Sequence, residues 1–348
     1  MIEVKNLVKD YGANVAVDNL SFTIEEGQIY GFLGPNGAGK STTMNIITGC
    51  LAATSGTVSI GGFDIFEKPK QAKENIGFLP EQPPLYFDMT PQEYLKFVGE
   101  AKGISRAELN EQIESAINRT QITEVKNRLI RNLSKGYRQR VGFAQAIIGY
   151  PDTIILDEPT VGLDPRQIIE IRELIKDLGE DHTVILSSHI LSEVSAVCDH
   201  ILIISNGDLV ASDTTESLLK MFESSASLDL AVKGTAGNIR SALKGVGGIT
   251  RVRISTPDEN GIVKVLIKTD SGADRRDRIS KALINSDCLI YSMTQSSMNL
   301  EDIFLFLTNE KSSAKSDKRA SCIRRYDTEI SDYGPQFEID EISEAEEK

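Results

Sequence analysis

The 348-residue sequence is 40% hydrophobic and 26% charged, with a net charge of −13 and a sequence pI of about 4.9. That length allows one large α/β domain plus something smaller, and a chain this acidic lacks the electrostatic footprint that binding a phosphate backbone requires, which counts against a nucleic-acid role. Four scattered cysteines (Cys50, Cys198, Cys288, Cys322) form no C-x-x-C pair and are expected to be reduced thiols, not a disulfide framework or a zinc site.

The first residues, Met1-Ile2-Glu3-Val4-Lys5-Asn6, show no apolar core of a signal peptide. No stretch approaches the ~18 consecutive apolar residues of a membrane helix, so any role at a membrane is expected to run through a partner, from the cytoplasmic side. In chain order, Ile2 to Val8 and Leu20 to Ile24 mix polar and apolar positions, as in an antiparallel layer exposed on one side. Apolar runs without polar alternation follow at Ile29 to Leu33, Ile76 to Leu79, Thr153 to Leu156, Thr183 to Leu186 and Ile201 to Ser205. They fit strands buried on both faces of a mostly parallel sheet. Between Leu85 and Gly149 the spacing turns helical. Thr90-Pro91-Gln92-Glu93 reads as a capping box with proline at the first helical position, and Ser105-Arg106-Ala107-Glu108 repeats the signature ahead of Leu109, Ile113, Ala116 and Ile117. A helical lobe inserted over residues 85–149 is expected.

After about residue 222 the pattern restarts. Leu228 to Val232, Ile249 to Ser255, Ile262 to Lys268 and Leu289 to Thr294 read as strands, and Asn238 to Lys244 and Ala273 to Asn285 as helices. The order β-α-β-β-α-β is that of a ferredoxin-like α+β domain, expected over residues 223–309, with Asn299 capping a short last helix. From Lys311 onward a basic patch precedes an acidic end and few apolar residues remain, so residues 310–348 are expected to be a disordered charged tail.

The chemistry is concentrated in the first 222 residues. Gly34-Pro35-Asn36-Gly37-Ala38-Gly39-Lys40-Ser41-Thr42 matches G-x-x-x-x-G-K-[ST], after an apolar strand and before a helical stretch. Glycines let backbone N–H groups converge on phosphate oxygens at a helix N-terminus, where the dipole adds positive potential. Lys40 would neutralise the β- and γ-phosphates of ATP, and Ser41 would hold Mg²⁺. Ile154-Ile155-Leu156-Asp157-Glu158 supplies the other half. A carboxylate ending a buried strand reaches the Mg²⁺ shell (Asp157), and the next one orients and deprotonates the attacking water (Glu158). An apolar string ending in Asp-Glu is by itself often a plain helix cap; the phosphate loop is what gives it meaning.

Upstream of Asp157 lies Leu133-Ser134-Lys135-Gly136-Tyr137-Arg138-Gln139-Arg140-Val141. With the phosphate loop and the carboxylate strand in this order, residues 1 to about 222 resemble the ATP-binding subunits of ABC transporters, in the bacterial exporter-associated branch. The resemblance implies a P-loop NTPase ABC-type ATPase domain: a mostly parallel α/β core sheet, an antiparallel β layer and an inserted helical lobe. It implies that Ser134 and Gly136 contact the γ-phosphate of ATP held by a second subunit. Lys135 and Tyr137 depart from the usual glycine and glutamine; both lie beside the contacting pair, so altered rates are expected, not lost function. By the same resemblance Tyr11 stacks on adenine, His189 senses the γ-phosphate, and Gly162-Leu163-Asp164 touches the opposite subunit. A glutamine linking Mg²⁺ and water to the membrane partner is expected after Ile76 to Leu79. Strict register puts Glu81 there, and Gln82, one residue later, is the preferred candidate.

The implied activity is ATP hydrolysis that powers transport, in the direction of export. The implied assembly is a homodimer, or a heterodimer with a related ATPase, on polytopic transmembrane permeases at the inner face of the cell membrane. Two other readings fit less well. A soluble ABC ATPase of translation would carry two phosphate loops, and one of DNA repair a long coiled coil for which residues 85–149 are too few. A non-catalytic scaffold would lack Lys40, Asp157 or Glu158, and all three are present.

Overall fold

The computed structural model describes residues 1–218, 227–258, 261–269, 274–296, 304, 308 and 337–341. The chain divides into two units, Met1–Thr215 and Glu216–Lys348.

In the first unit, β1 (Ile2–Asp10) pairs antiparallel with β2 (Val15–Ile24) and with β4 (Ser55–Ile60), and β5 (Phe63–Asp64) closes that layer in the order β2-β1-β4-β5. The layer is half-buried, as its mixed pattern predicts: Ile2, Val4 and Leu7 face the core while Lys5 and Asn6 face solvent. The second sheet has the order β10-β9-β3-β8-β7-β6. It runs from β10 (Asp208–Thr214) and β9 (His200–Ser205) through β3 (Ile29–Leu33), β8 (Thr183–Ser188) and β7 (Thr153–Asp157) to β6 (Ile76–Leu79). All its pairings are parallel except that of the edge strand β10. Every residue of β3, β7 and β8 is buried, so the uniformly apolar runs identify the central strands.

Helices connect these strands. α1 (Lys40–Ile47) follows β3, and α2 (Pro69–Glu74) precedes β6. The helical insertion comprises α3 (Pro91–Ala101), α4 (Arg106–Arg119) and α5 (Lys135–Ile147). The Thr90 capping box forms in full: its side chain accepts from the Glu93 N–H, and Glu93 accepts from the Thr90 N–H. The second signature departs from expectation. Ser105 is the N-cap of α4, but its hydroxyl donates to Glu108 Oε2 at 2.8 Å instead of accepting a backbone N–H. α6 (Pro165–Gly179) leaves β7 and buries Ile171, Leu174, Ile175 and Leu178, one stripe at helical spacing. A short helix, α7 (Leu191–Val194), leaves β8.

The second unit orders β11 (Ser227–Lys233), α8 (Ala236–Lys244), β12 (Ile249–Ser255), β13 (Ile262–Thr269), α9 (Arg276–Ile284) and β14 (Leu289–Ser296), a ferredoxin-like β-α-β-β-α-β unit with its own core. Its sheet order is β14-β11-β13-β12-β15. The last strand, β15 (Phe337–Glu341), departs from the expected disorder of the tail. Phe337-Glu-Ile-Asp-Glu341 alternates apolar and acidic residues, and β12 offers it an open edge on which Glu341 stands opposite Arg251. The Asn299 cap and the rest of the tail lie outside the described residues.

Gly31, in the middle of β3, fixes how closely α7 approaches the sheet. A Cβ at this position would collide with Val194 Cγ1 and lie 2.9 Å from Cys198 Sγ. Gly31→Ala therefore overpacks a buried contact and is expected to lower stability by about 1–3 kcal/mol. Equilibrium urea unfolding should show a lower midpoint at unchanged slope; an unchanged midpoint would mean that α7 yields freely.

Candidate active site

The parallel sheet brings three chemistries to one edge. β3, β8 and β7 are adjacent, and their C-terminal ends deliver the glycine loop, His189 and the Asp157–Glu158 pair, respectively. Crevices at the carboxyl ends of parallel strands are where open α/β sheets bind ligands.

The loop after Leu33 turns through Gly37 (φ +81°) and Gly39 (φ +103°), backbone conformations that a side chain would strain. Gly39 is the N-cap of α1 and no side chain caps that helix. The first intrahelical bond runs from the Thr43 N–H to the Gly39 carbonyl, so the N–H groups of Lys40, Ser41 and Thr42 precede the helical ladder. Such a terminus is an anion site. Lys40, 6% exposed, donates to the carbonyls of Gly34 (2.8 Å) and Pro35 (3.3 Å). Its ammonium also lies 3.5 Å from Glu158 Oε1.

On the facing side, Asp157 Oδ1 accepts from Ser41 Oγ at 3.1 Å and from Ser187 Oγ at 2.6 Å. Glu158 has φ +48°, a left-handed conformation that costs about 1–2 kcal/mol in a non-glycine residue. Its N–H donates to Ser187 Oγ at 2.9 Å, so one hydroxyl holds both carboxylate residues in place. Glu158 Oε2 lies 2.9 Å from His189 Nδ1. The carboxylate is thus flanked by an ammonium on one oxygen and an imidazole on the other.

Lys40, Glu158 and His189 line a cleft of about 460 Å³ together with Tyr11, Asn36, Gly37, Gly39, Ser41 and Thr42, while Asp157 and Ser187 stand behind its wall. Tyr11, 58% exposed, presents an accessible ring with Lys9 Nζ 5.1 Å from its centroid. Gly34, Pro35 and Ala38 shape the loop from behind: Gly34 and Pro35 carbonyls hold Lys40, and the Ala38 N–H donates to Pro35 O. Glu81 lines the cleft and Gln82 does not. The geometry therefore favours the residue in strict register, two past the end of β6, over the preferred candidate from the sequence.

Ser134 and Gly136 do not line this cleft. Ser134 is the N-cap of α5 and accepts from the Tyr137 N–H at 3.4 Å. Gly136 is buried, and a Cβ on it would stand 2.7 Å from the Gln167 side chain. Tyr137 turns away from the loop: its hydroxyl donates to Glu124, whose carboxylate holds the phenol above its usual pKa. Asp164 caps α6 by accepting from the N–H groups of Arg166 and Gln167 at 3.0 Å each. Sequence reasoning missed Ser187. The available signal was a pair of hydroxyls, Ser187-Ser188, ending an otherwise apolar strand.

A glycine loop feeding a helix N-terminus, with a strand-end carboxylate facing its serine, defines the P-loop nucleotide-hydrolase class. Residues 17–161 match the family model described as ABC transporter. The chain is 31% identical over 313 residues to the linearmycin resistance ATP-binding protein LnrL of Bacillus subtilis, covering 88% of this chain and 98% of that one. It is 31% identical over 309 residues to the bacitracin transport ATP-binding protein BcrA of Bacillus licheniformis, covering 88% and 97%. Among solved structures, it resembles a dimeric ATP-binding cassette in a post-hydrolysis state bound to ADP and Pi, with TM-score 0.56, 27% identity and coverage of 62% of this chain and 98% of the other. The chain belongs to the ATP-binding proteins of ABC transporters, subunits that hydrolyse ATP to power transport across a membrane. No helix among the described residues is long and apolar enough to cross a membrane itself.

Removing the Ser187 hydroxyl leaves the Glu158 N–H without its partner and takes one donor from Asp157. Ser187→Ala is expected to destabilise the protein by about 1–3 kcal/mol and to lower the ATPase turnover. Wild-type stability and turnover would mean that neither carboxylate residue depends on this hydroxyl.

Proposed function

We propose that the chain works as a Mg²⁺-dependent ATPase in a dimer of cassettes that drives export through separate membrane-spanning permeases. The observation that carries the reading is the buried Lys40–Glu158 pair, with the exposed His189 on the second Glu158 oxygen and Ser41 bonded to Asp157. In it Lys40 and the N–H groups of the loop and first helical turn bind the triphosphate, with Gly34 to Thr42 forming the backbone cradle, and the exposed Tyr11 ring stacks on adenine. A hydroxyl and a carboxylate, Ser41 and Asp157, offer the hard oxygen donors that suit Mg²⁺, and one carboxylate plus substrate phosphates is a common way to hold that ion. When bound, Mg²⁺ would offset charge on the phosphate oxygens. Glu158 orients and deprotonates the attacking water, and His189 supports that carboxylate and meets the γ-phosphate.

The ATPase domain is assigned to residues 1–222 with its helical lobe at 85–149, and the accessory domain to 223–309. Glu81 is assigned the role at the mouth of the cleft that contacts both water and the permease. Ser134 and Gly136 serve the cleft of a second copy: they stand at the start of α5, where the positive end of the helix dipole favours an anion. A dimer is supported by the dimeric state of the related cassette. Export is supported by relatives named for linearmycin resistance and lantibiotic transport. Such a subunit sits on the inner face of the cell membrane through its permease.

The test separates binding from chemistry. Lys40→Ala should weaken nucleotide binding and hydrolysis together. Glu158→Gln should keep binding nearly intact and lose a factor of about 10²–10⁴ in rate, or ~3–5 kcal/mol of barrier. His189→Ala should resemble Glu158→Gln. Nucleotide titration beside steady-state phosphate release reads all three, and a wild-type rate for Glu158→Gln would contradict the assignment of the base.

A further inference from the structure

Glu193 is a carboxylate 5% exposed in the first unit, and no role above uses it. It lies on α7, the short helix whose Val194 packs against Gly31 of β3. Its Oε2 accepts from Thr160 Oγ1 at 2.6 Å and from Ser188 Oγ at 3.1 Å. The Ser188 oxygen in turn accepts from the Ile190 N–H at 3.0 Å. Thr160 is two residues past Glu158, itself 6% exposed, and Ser188 is the residue before His189. One oxygen of Glu193 therefore ties the turn that carries Glu158 to the turn that carries His189.

A buried carboxylate partnered by neutral hydroxyls is a poor way to fill a core, because desolvation of the charge is expensive and an apolar side chain of the same volume would pack as well. What the carboxylate adds is direction: two charge-assisted hydrogen bonds fix two hydroxyls at one point. The two turns it joins set the 2.9 Å contact between His189 Nδ1 and Glu158 Oε2. That contact spans the ends of β7 and β8, and strand pairing alone leaves the turns beyond Asp157 and Ser188 free to diverge. On the other side, Gln139 Nε2 of α5 donates to the Pro159 carbonyl at 3.0 Å, so the residue between Glu158 and Thr160 is also held.

We infer that Glu193 is a positioning residue for ATP hydrolysis, acting through Thr160 and Ser188 to hold Glu158 and His189 in register. The inference rests on Glu158 and His189 having the roles proposed above. Lys40 and the phosphate loop gain nothing direct from Glu193, so its loss should leave nucleotide affinity unchanged while turnover falls. A residue of purely structural importance would lower both together.

The experiment measures ATP affinity, KM and kcat for the full chain and for Glu193→Ala, Glu193→Gln, Thr160→Val and Glu158→Gln in one assay. Expected are a ten- to hundred-fold loss of kcat in Glu193→Ala with affinity unchanged, and recovery of most of that loss in Glu193→Gln, whose carbonyl still accepts both hydroxyls. Thr160→Val keeps the shape and removes one link; it should show a smaller loss of kcat alone, and it replaces Glu193→Ala if that variant does not fold. Combining Thr160→Val with Glu193→Ala should add little to Glu193→Ala, since both break the same link. Wild-type kcat in Glu193→Ala, or a parallel fall of affinity and kcat, overturns the inference. If Glu158→Gln is inactive while Glu193→Ala is not, the positioning role fails and the base assignment stands; if Glu158→Gln turns over normally, both fail.

Discussion

Lys40 and Glu158 meet 3.5 Å apart, each less than a tenth exposed, and much of the first unit is arranged around that contact. Burying an ammonium and a carboxylate is tolerable only when they face each other and have further partners; removing one member of such a pair typically costs about 3–5 kcal/mol. Here the further partners are the Gly34 and Pro35 carbonyls for the ammonium and the His189 imidazole for the carboxylate. The order β3-β8-β7 makes the contact geometrically available, because it places the three strand ends side by side. A triphosphate taken up by the loop, as proposed, would compete with Glu158 for Lys40. On the proposed reading, binding thereby releases the carboxylate toward water, and a general base is uncovered only when there is a substrate to attack.

The remaining features keep that arrangement tight. Glu158 is held in a left-handed conformation by a hydroxyl that also fixes Asp157, so the two carboxylates cannot reorient independently. Gly31 lets α7 lie close on β3, and α7 carries the carboxylate that ties together the turns after β7 and β8. Strain at Glu158 is thus held by the surrounding hydrogen bonds, the usual condition for a strained residue to persist at a functional position.

How much of this the sequence carries depends on whether a residue acts through its neighbours in the chain. The phosphate loop, the central strands and the ferredoxin-like order are local patterns, and Ile29 to Leu33, Thr153 to Leu156 and Ile249 to Ser255 are strands where their composition predicts. The Thr90 capping box is local as well. Ser187 and Glu193 are different: each acts by touching residues 29 to 33 positions away, and the hydroxyl pair that ends the strand at Ser187 does not say which distant groups it holds. Between Glu81 and Gln82, register points to the first and residue type to the second, and it is Glu81 that lines the cleft. The departure at β15 has another origin, since an acidic tail is read as disordered unless the arginine-bearing edge it pairs with is known.

The central claim is that the cleft is half of a site. Ser134 and Gly136 sit on α5, outside the cleft their own chain forms, and on the proposed reading they close over nucleotide held by a second copy. Two copies related by a two-fold axis complete two such sites with nucleotide at the interface. Sedimentation of the Glu158→Gln variant, in which bound ATP persists, tests this most directly. The account predicts a monomer without nucleotide and a dimer with ATP; a monomer under both conditions would contradict it.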